Sequence, residues 1–208
     1  TDSLFVKIPE KKNQHDVEKF VEKINVELPE SMELELEGFY KRGIFVTKKG
    51  AKETAAKKRY ALMDFKDQLK IVGFEYVRRD WSGIAKETQK KVIEAVLKEG
   101  KPEKAVEIVK QAIKELQAGK VPKKELVVLT EIQRPLYKYV ATGPHVEAAK
   151  KALKKGKQIE VGSVIGFIIT KNGKSISDKA EAEEFVKEGN YDADYYIHHQ
   201  VIPAVIKI

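Results

Sequence analysis

Hydrophobic and polar residues change their spacing along the chain in ways that predict both helices and strands. From Gln14 to Leu28, apolar residues recur every three or four positions, which predicts an amphipathic helix that Pro29 ends. Residues 32–37 instead alternate strictly between apolar side chains and glutamates, as a half-exposed strand does. Further strands are predicted at residues 4–8, 44–47, 59–63 and 73–78.

The second half of the chain has the pattern of helices separated by short strands. Ser82 is a candidate N-cap for the first of these helices, and Gly100 is its candidate terminator. Helices are predicted at residues 82–100, 102–119, 144–153 and 195–206, the last interrupted near Pro203. Strands are predicted at residues 126–129 and 164–170, followed by the hairpin turn signal Asn172-Gly173.

This mixture of elements indicates an α+β fold. Residues 48–58 interrupt the pattern, because they form a run of Lys, Ala, Glu and Thr between two predicted strands. We interpret this run as a lysine-rich insertion at the exposed tip of a hairpin, where insertions are tolerated.

Composition favours a polyanionic partner. The 208 residues include 40 Lys and Arg against 32 Asp and Glu, which gives a net charge of +8. Such a surplus suits nucleic acid or an anionic membrane, although a merely basic soluble protein is the alternative. The chain has no cysteine, which excludes disulfides and thiolate metal sites and, with its many Lys and Glu residues, suits a thermophile. No apolar run approaches the roughly 20 residues of a spanning helix and no signal peptide is visible, so a cytoplasmic protein is the default.

Asp2 is the best single candidate for chemistry. It stands immediately before the apolar run at residues 4–8, so its carboxylate would lie at the mouth of a strand. Mg²⁺ prefers hard oxygen ligands of this kind, often one or two carboxylates together with substrate phosphates. The alternative is that Asp2 is a solvated surface residue.

Several segments resemble family B DNA polymerases, in the order in which that family has them. Residues 1–6, Thr-Asp-Ser-Leu-Phe-Val, resemble the tail of the Tyr-x-Asp-Thr-Asp-Ser motif of the family's palm. Lys57-Lys58-Arg59-Tyr60 resembles the Lys-Lys-Arg-Tyr motif of the archaeal members, which contacts DNA. Residues 35–43 resemble the next palm segment, residues 77–82 the segment that leads into the thumb, and the resemblance continues through residues 143–146 to residues 192–197.

The resemblance implies a fold and a metal site. Residues 1–47 would be the C-terminal part of a palm, and residues 48–208 a largely helical thumb that begins with the insertion at 48–58. Asp2 would be a catalytic, metal-binding aspartate in a site that holds two Mg²⁺ ions. Glu35 and Glu37 would be accessory carboxylates beside it, unless they are simply the solvated face of a strand.

The resemblance also implies a set of DNA contacts, because Lys and Arg neutralise phosphates and aromatic hydroxyls add directed hydrogen bonds. An alternative for the arginines is an ion pair between one of them and Asp80, with Trp81 in the core. His145 has a structural alternative as well, and Gln133 departs from the threonine that the family usually has there. The candidate DNA-binding residues are Lys57, Lys58, Arg59, Tyr60, Arg78, Arg79, Arg134, Tyr139 and His145.

The implied activity is template-directed addition of dNTPs to a primer–template DNA. The second metal-binding aspartate and the nucleotide-binding fingers of the family are not among these residues, so we expect the chain to be inactive alone. It would work with a larger polymerase chain that carries the exonuclease, the fingers and the rest of the palm. The alternatives are a non-catalytic DNA-binding clamp derived from a polymerase and a purely structural scaffold.

Overall fold

The N-terminal part of the chain contains one well-capped helix. The computed structural model describes residues 3–47, 55–206 and 208. Helix α1 (Gln14–Glu27) begins at a capping box in which Asn13 and Asp16 each accept a hydrogen bond from the other's backbone N–H, at 3.1 and 3.0 Å. The predicted helix is therefore confirmed, and it ends before Pro29 as expected. No residue of α1 is fully buried, so its apolar stripe is only partly covered.

The strands predicted at residues 4–8 and 32–37 are wrong, because neither segment belongs to a sheet in the described structure. A strand needs a neighbour to accept and donate its ladder hydrogen bonds. For Leu34 the side chain of Asn25 takes that place, accepting from the Leu34 N–H at 2.8 Å and donating to its carbonyl at 3.0 Å. Met32 remains 62% exposed, so the alternation does not mark a buried face here.

The first sheet is formed by three consecutive antiparallel strands, β1 (Tyr40–Thr47), β2 (Ala55–Asp64) and β3 (Leu69–Val72). The strands predicted at 44–47 and 59–63 are confirmed within β1 and β2. The strand predicted at 73–78 is wrong, because Gly73 turns the chain with φ +70° and Glu75–Val77 form a 3₁₀ helix.

The lysine-rich insertion joins β1 to β2, and residues 48–54 lie outside the described residues. Strand β2 begins at Ala55, so Lys57 and Lys58 belong to the strand rather than to a hairpin tip as predicted. The β1–β2 register shifts between the pairs Phe45–Tyr60 and Thr47–Ala55. Lys58 lies in this irregularity and has φ 56°, as a bulge residue can.

The turn at Gly73 packs closely against the backbone of Lys58, and replacing the glycine by alanine tests this packing. A Cβ atom at Gly73 would lie 1.9 Å from the carbonyl oxygen of Lys58, whereas one at Gly119, which also has φ +70°, would meet nothing within 4 Å. Both alanine variants bear the left-handed backbone cost of about 1–2 kcal/mol, but only Gly73→Ala adds a backbone clash. We expect Gly73→Ala to lower the thermal unfolding midpoint by at least about 5 °C more than Gly119→Ala. Equal midpoints would contradict this packing.

Two long helices follow the first sheet. Helix α2 (Gly83–Glu99) begins after Ser82 and ends at Gly100, which has the left-handed conformation of a helix terminator. Ser82 occupies the predicted N-cap position, but its buried hydroxyl makes no cap hydrogen bond. Helix α3 (Pro102–Gln117) begins with its proline in the first turn, as predicted.

The second sheet combines β4 (Val128–Glu131), β5 (Val164–Ile169) and β6 (Ala180–Ala182) in antiparallel order. The predicted strands at 126–129 and 164–170 are confirmed with small shifts. Asn172-Gly173 does not make a two-residue hairpin turn, because helix α5 (Ile176–Lys179) lies in the same connection between β5 and β6. Helix α4 (Pro144–Lys154) packs on this sheet and confirms the helix predicted there.

The C-terminal helical segment is α6 (Ala193–Tyr195), a π-helical turn (Tyr196–Val201) and α7 (Ile202–Val205). The predicted helix with an interruption near Pro203 is thus confirmed in outline. Proline has no N–H to donate and crowds the preceding turn, and the backbone adopts the wider π spacing just before it.

Helix α2 connects two hydrophobic cores among the described residues. The larger core fills the space between the second sheet, α3, α4 and the C-terminal segment, and the smaller core lies under the first sheet. Ala85 of α2 belongs to the larger core, while Ile93 and Leu97 belong to the smaller one. The architecture is α+β, as predicted. Among the described residues, every helix is too short or too polar to serve as a membrane-spanning segment.

Candidate nucleic-acid interface

Three aromatic rings attach the N-terminal segment to the first sheet. The ring of Phe5 lies edge-on to Phe45 of β1 and Tyr60 of β2, with centroids 5.1 and 4.9 Å away. Such edge-to-face pairs are favourable beyond the area they bury. This contact holds Phe5, a described residue of the segment that resembles the polymerase palm motif, against the strand that carries the basic quartet.

The candidate carboxylates are not equivalent in the structure. Asp2 lies outside the described residues. Glu37 accepts a hydrogen bond from the ammonium of Lys70 at 2.8 Å, which lowers the pKa of the carboxyl, and a weaker hydrogen bond with Ser3 acts in the same direction. Ser3, the first described residue, therefore lies beside Glu37. Glu35 is exposed.

The described residues do not assemble a metal centre by themselves. No group of three or more His, Cys, Asp or Glu side chains among them could hold an ion. Lys70 would compete with a metal ion for Glu37, although both side chains of this ion pair are about half exposed. The donor chemistry that Mg²⁺ requires would have to come from Asp2 together with Glu35, the other acid of the predicted set.

The four residues of the basic quartet, which lie on β2, do not all point in the same direction. Lys58 is exposed, and the hydroxyl-bearing ring of Tyr60 lies on the side of Phe5. Arg59 points the other way, and its guanidinium donates to both carboxylate oxygens of Glu75 at 2.8 and 2.6 Å. The side chain of Lys57 lies outside the described atoms. Arg59 and Tyr60 of the predicted quartet therefore face opposite sides of the strand.

Arg78 and Arg79 also differ in their contacts. Arg78 binds Asp80 with two hydrogen bonds of 3.0 and 2.6 Å, which raises the pKa of the arginine and lowers that of the aspartate. Arg79 is exposed, and no acid in the described part of the chain forms an ion pair with it. Trp81 packs against the larger core. The alternative of an ion pair between one arginine and Asp80, with Trp81 packed against the core, is confirmed for Arg78.

A second basic–aromatic cluster lies at the start of α4. The guanidinium of Arg134 lies over the ring of Tyr139 at 5.3 Å, and Tyr139 is edge-on to His145 at 5.9 Å. The Tyr139 hydroxyl accepts a hydrogen bond from the backbone N–H of Gln133 at 3.1 Å. The structure thus brings together three candidates that the sequence had only given separately.

Electrostatics assigns different roles within this cluster. Burial lowers the pKa of His145, so the imidazole is neutral at pH 7 and can offer a hydrogen bond but not a charge. Arg134 is exposed and supplies the positive charge. His145 is at the first turn of α4, where backbone N–H groups point outward and favour anions.

Sequence reasoning missed Glu75 and Gln89, which bind the basic strand from inside the protein. The carboxylate of Glu75 accepts a hydrogen bond from the Gln89 amide at 2.8 Å, and both residues are buried. An acidic residue within the apolar stretch Gly-Phe-Glu-Tyr-Val was the available signal, since a buried carboxylate requires a partner.

Comparison with known proteins gives one consistent result. The model of DNA polymerase family B matches residues 1–208. A DNA polymerase of Methanocaldococcus jannaschii is 48% identical over 91% of this chain and 11% of its own length. A DNA polymerase of Pyrococcus glycovorans is 47% identical over 100% of this chain and 26% of its own length. The solved family B DNA polymerase of Pyrobaculum calidifontis superposes with a TM-score of 0.74 at 31% identity, covering 95% of this chain and 25% of that one.

Proposed function

Because the chain belongs to DNA polymerase family B, we propose that it supplies the DNA-gripping part of a template-directed DNA polymerase. The contact of Phe5 with Tyr60 carries this proposal. It holds the segment that follows Asp2 against the strand that contains Lys58 and Tyr60. A polymerase needs its metal site and its DNA contacts to lie close together, since the primer must be held where its terminal hydroxyl reacts.

We propose residues 1–47 as the C-terminal part of the palm and residues 48–208 as the thumb. The boundary falls in the connection between β1 and β2. The second basic–aromatic cluster, at Arg134 and Tyr139, would then be the thumb's contact with the duplex. In this division the palm portion contributes Asp2 and Glu35 toward the chemical site.

The proposed metal is Mg²⁺, held in a two-ion site to which Asp2 contributes a carboxylate. When bound, such ions lower the pKa of an attacking hydroxyl and stabilise the leaving oxygen. Glu35 is the proposed accessory carboxylate. Glu37 was predicted in the same role, but its ion pair with Lys70 makes it a structural partner for β3.

The proposed phosphate contacts are cations of the basic quartet, Arg79, and the cluster of Arg134, Tyr139 and His145, together with the aromatic groups beside them. Lysine and arginine neutralise phosphates, while a tyrosine hydroxyl or a neutral imidazole adds a directed hydrogen bond. Arg78 contributes less, because Asp80 already neutralises it. The set is Lys57, Lys58, Tyr60, Arg79, Arg134, Tyr139 and His145.

Nucleotide addition would require the remaining polymerase segments, in the same polypeptide or in a larger partner chain. The chain spans 11% and 26% of the two relatives described above. Its exposed apolar side chains are a suitable surface for those segments, since Leu4, Val6 and Phe20 are 78%, 74% and 60% exposed. We expect the contact to exceed the roughly 1,600 Å² of a standard interface. The substrates of the assembly would be dNTPs and primer–template DNA.

The salt dependence of duplex binding tests these contacts. Each phosphate contact that is lost should flatten the plot of log affinity against log salt by about 0.9. Lys58→Gln and Arg134→Gln should each flatten the slope by that amount and together by about twice as much. Lys110→Gln is the matched control, because Lys110 is an exposed lysine on α3, in neither cluster. A slope that is unchanged in the double variant would reject both clusters as DNA contacts.

A further inference from the structure

Arg59 occupies the middle of the basic quartet but faces the interior. Its side chain is 18% exposed and that of its partner Glu75 only 5%. The guanidinium also lies over the ring of Phe74 at 5.0 Å from its centroid. Both hydrogen bonds to Glu75 come from Nη2, while Nε is buried without a hydrogen-bond partner among the described residues. Hydrogen bonds between ionised groups are strong, and here they compensate the charge of Arg59 within the protein.

Glu75 belongs to a longer hydrogen-bonded network, which we call the Glu75 network: Arg59, Glu75, Gln89 and the carbonyl of Ala204. The Gln89 amide donates to Glu75 at 2.8 Å and to the Ala204 carbonyl. Its oxygen accepts from the backbone N–H of Tyr76 at 2.7 Å. The network therefore joins strand β2 to the 3₁₀ helix, to α2 and to α7.

The network lies directly beneath the proposed DNA contacts. Arg59 is between Lys58 and Tyr60 in β2, and Lys58 is held in a bulge with positive φ next to Gly73. Since side chains alternate along a regular strand, an Arg59 fixed toward the interior keeps Tyr60 on the opposite face, and it anchors the chain directly after the irregularity at Lys58. Breaking a buried ion pair by removing one partner leaves an uncompensated charge, which favours rearrangement of the strand.

We propose that Arg59 is a positioning residue and not a phosphate contact: the Glu75 network holds β2 so that Lys58 and Tyr60 meet the duplex. This inference rests on the proposed function and adds to it. It also changes the expectation drawn from the Lys-Lys-Arg-Tyr motif, which was that Lys57, Lys58 and Arg59 all contact DNA. The assignment makes Glu75 and Gln89 as important for DNA binding as a surface lysine, although neither can reach a phosphate.

Glu75→Gln distinguishes positioning from direct contact by the sign of its effect. If Arg59 contacted phosphate, removing the competing carboxylate would free its charge, tighten duplex binding and steepen the salt slope. The positioning role predicts the reverse, a loss of about 3- to 10-fold in affinity with a slope no steeper than that of the wild type. Arg59→Lys keeps the charge but removes the planar guanidinium that lies over Phe74 and reaches Glu75, and it should lose as much affinity as Glu75→Gln.

The experiment measures primer–template affinity of the 208-residue chain over a salt series, at a temperature where every variant is folded by circular dichroism. Arg42→Ala is the matched control, because Arg42 also ties the first sheet to α2, through the carbonyls of Leu97 and Lys98 at 3.1 and 3.2 Å. It should leave affinity within about 2-fold, whereas the double variant Arg59→Lys, Glu75→Gln should bind no worse than either single variant.

Tighter binding by Glu75→Gln, or full affinity in Arg59→Lys, would overturn the positioning role while leaving the proposed function intact. An equal loss in Arg42→Ala would overturn it too, by showing that general loosening of the sheet explains the effect. If the wild-type chain showed no salt-dependent duplex binding, the proposed function itself would fail, and this inference with it.

Discussion

Replacing Asp2 by alanine in the complete polymerase should lower the rate of primer extension by about 10³-fold, on the scale of losing one charge-stabilising group at a reacting centre. The carboxylate is proposed to hold a metal ion and not the DNA. Duplex affinity should therefore stay within about 2-fold of the wild type, since none of the proposed phosphate contacts is removed. Single-turnover extension and equilibrium binding, measured on the same preparation, separate the two effects.

Glu35→Gln is the matched control for Asp2→Ala, since it removes another carboxylate of the same predicted set. As an accessory group it should slow extension only modestly and shift the Mg²⁺ concentration at which extension is fastest. A non-catalytic clamp, the alternative function, has no need of either carboxylate. Extension at the wild-type rate by Asp2→Ala would reject Asp2 as a metal ligand.

Local signals in the sequence were sufficient for most helices. The apolar spacing of α1 and the residues at its ends, Asn13 and Pro29, describe a structure that forms from neighbours along the chain. Gly100 and Pro102 likewise mark the end of α2 and the beginning of α3. These positions need no knowledge of distant residues, and the predictions made from them are confirmed.

Strands were less predictable because their existence depends on distant partners. Residues 32–37 have the alternation of a strand, but Asn25 of α1 binds the backbone of Leu34 in place of a neighbouring strand. Residues 73–78 are apolar enough for a strand, but Gly73 turns the chain and Glu75 is drawn toward Arg59 and Gln89. No spacing rule contains those contacts.

In the candidate site too, the sequence identified individual residues but not the contacts that depend on distant parts of the chain. The sequence identified Arg134, Tyr139 and His145 as separate candidates, and the fold brings them together because α4 begins beside the loop that carries the other two. The sequence could not show that Arg59 faces inward, since β2 is irregular at Lys58 and the partner, Glu75, lies in another element. The placement of Asp2 remains a prediction.

The proposed function predicts that these 208 residues alone do not synthesise DNA. As the resemblance identifies them, these 208 residues contain neither the second metal-binding aspartate nor the fingers. On their own they should bind primer–template DNA yet extend it at no detectable rate, because one carboxylate motif cannot hold both metal ions. The remaining polymerase segments from the same source should cover exposed apolar side chains such as Leu4, Val6 and Phe20 and complete the site.

Primer extension by the separate and mixed components is the most direct measurement of the central claim, that this chain is the DNA-gripping part of a family B polymerase. The 208-residue chain, a chain carrying the remaining segments, and their mixture are each incubated with primer–template, dNTPs and Mg²⁺. The account predicts synthesis by the mixture only, with binding but no synthesis by the 208-residue chain. Synthesis by the 208-residue chain alone, or a mixture that forms no longer primers, would contradict it.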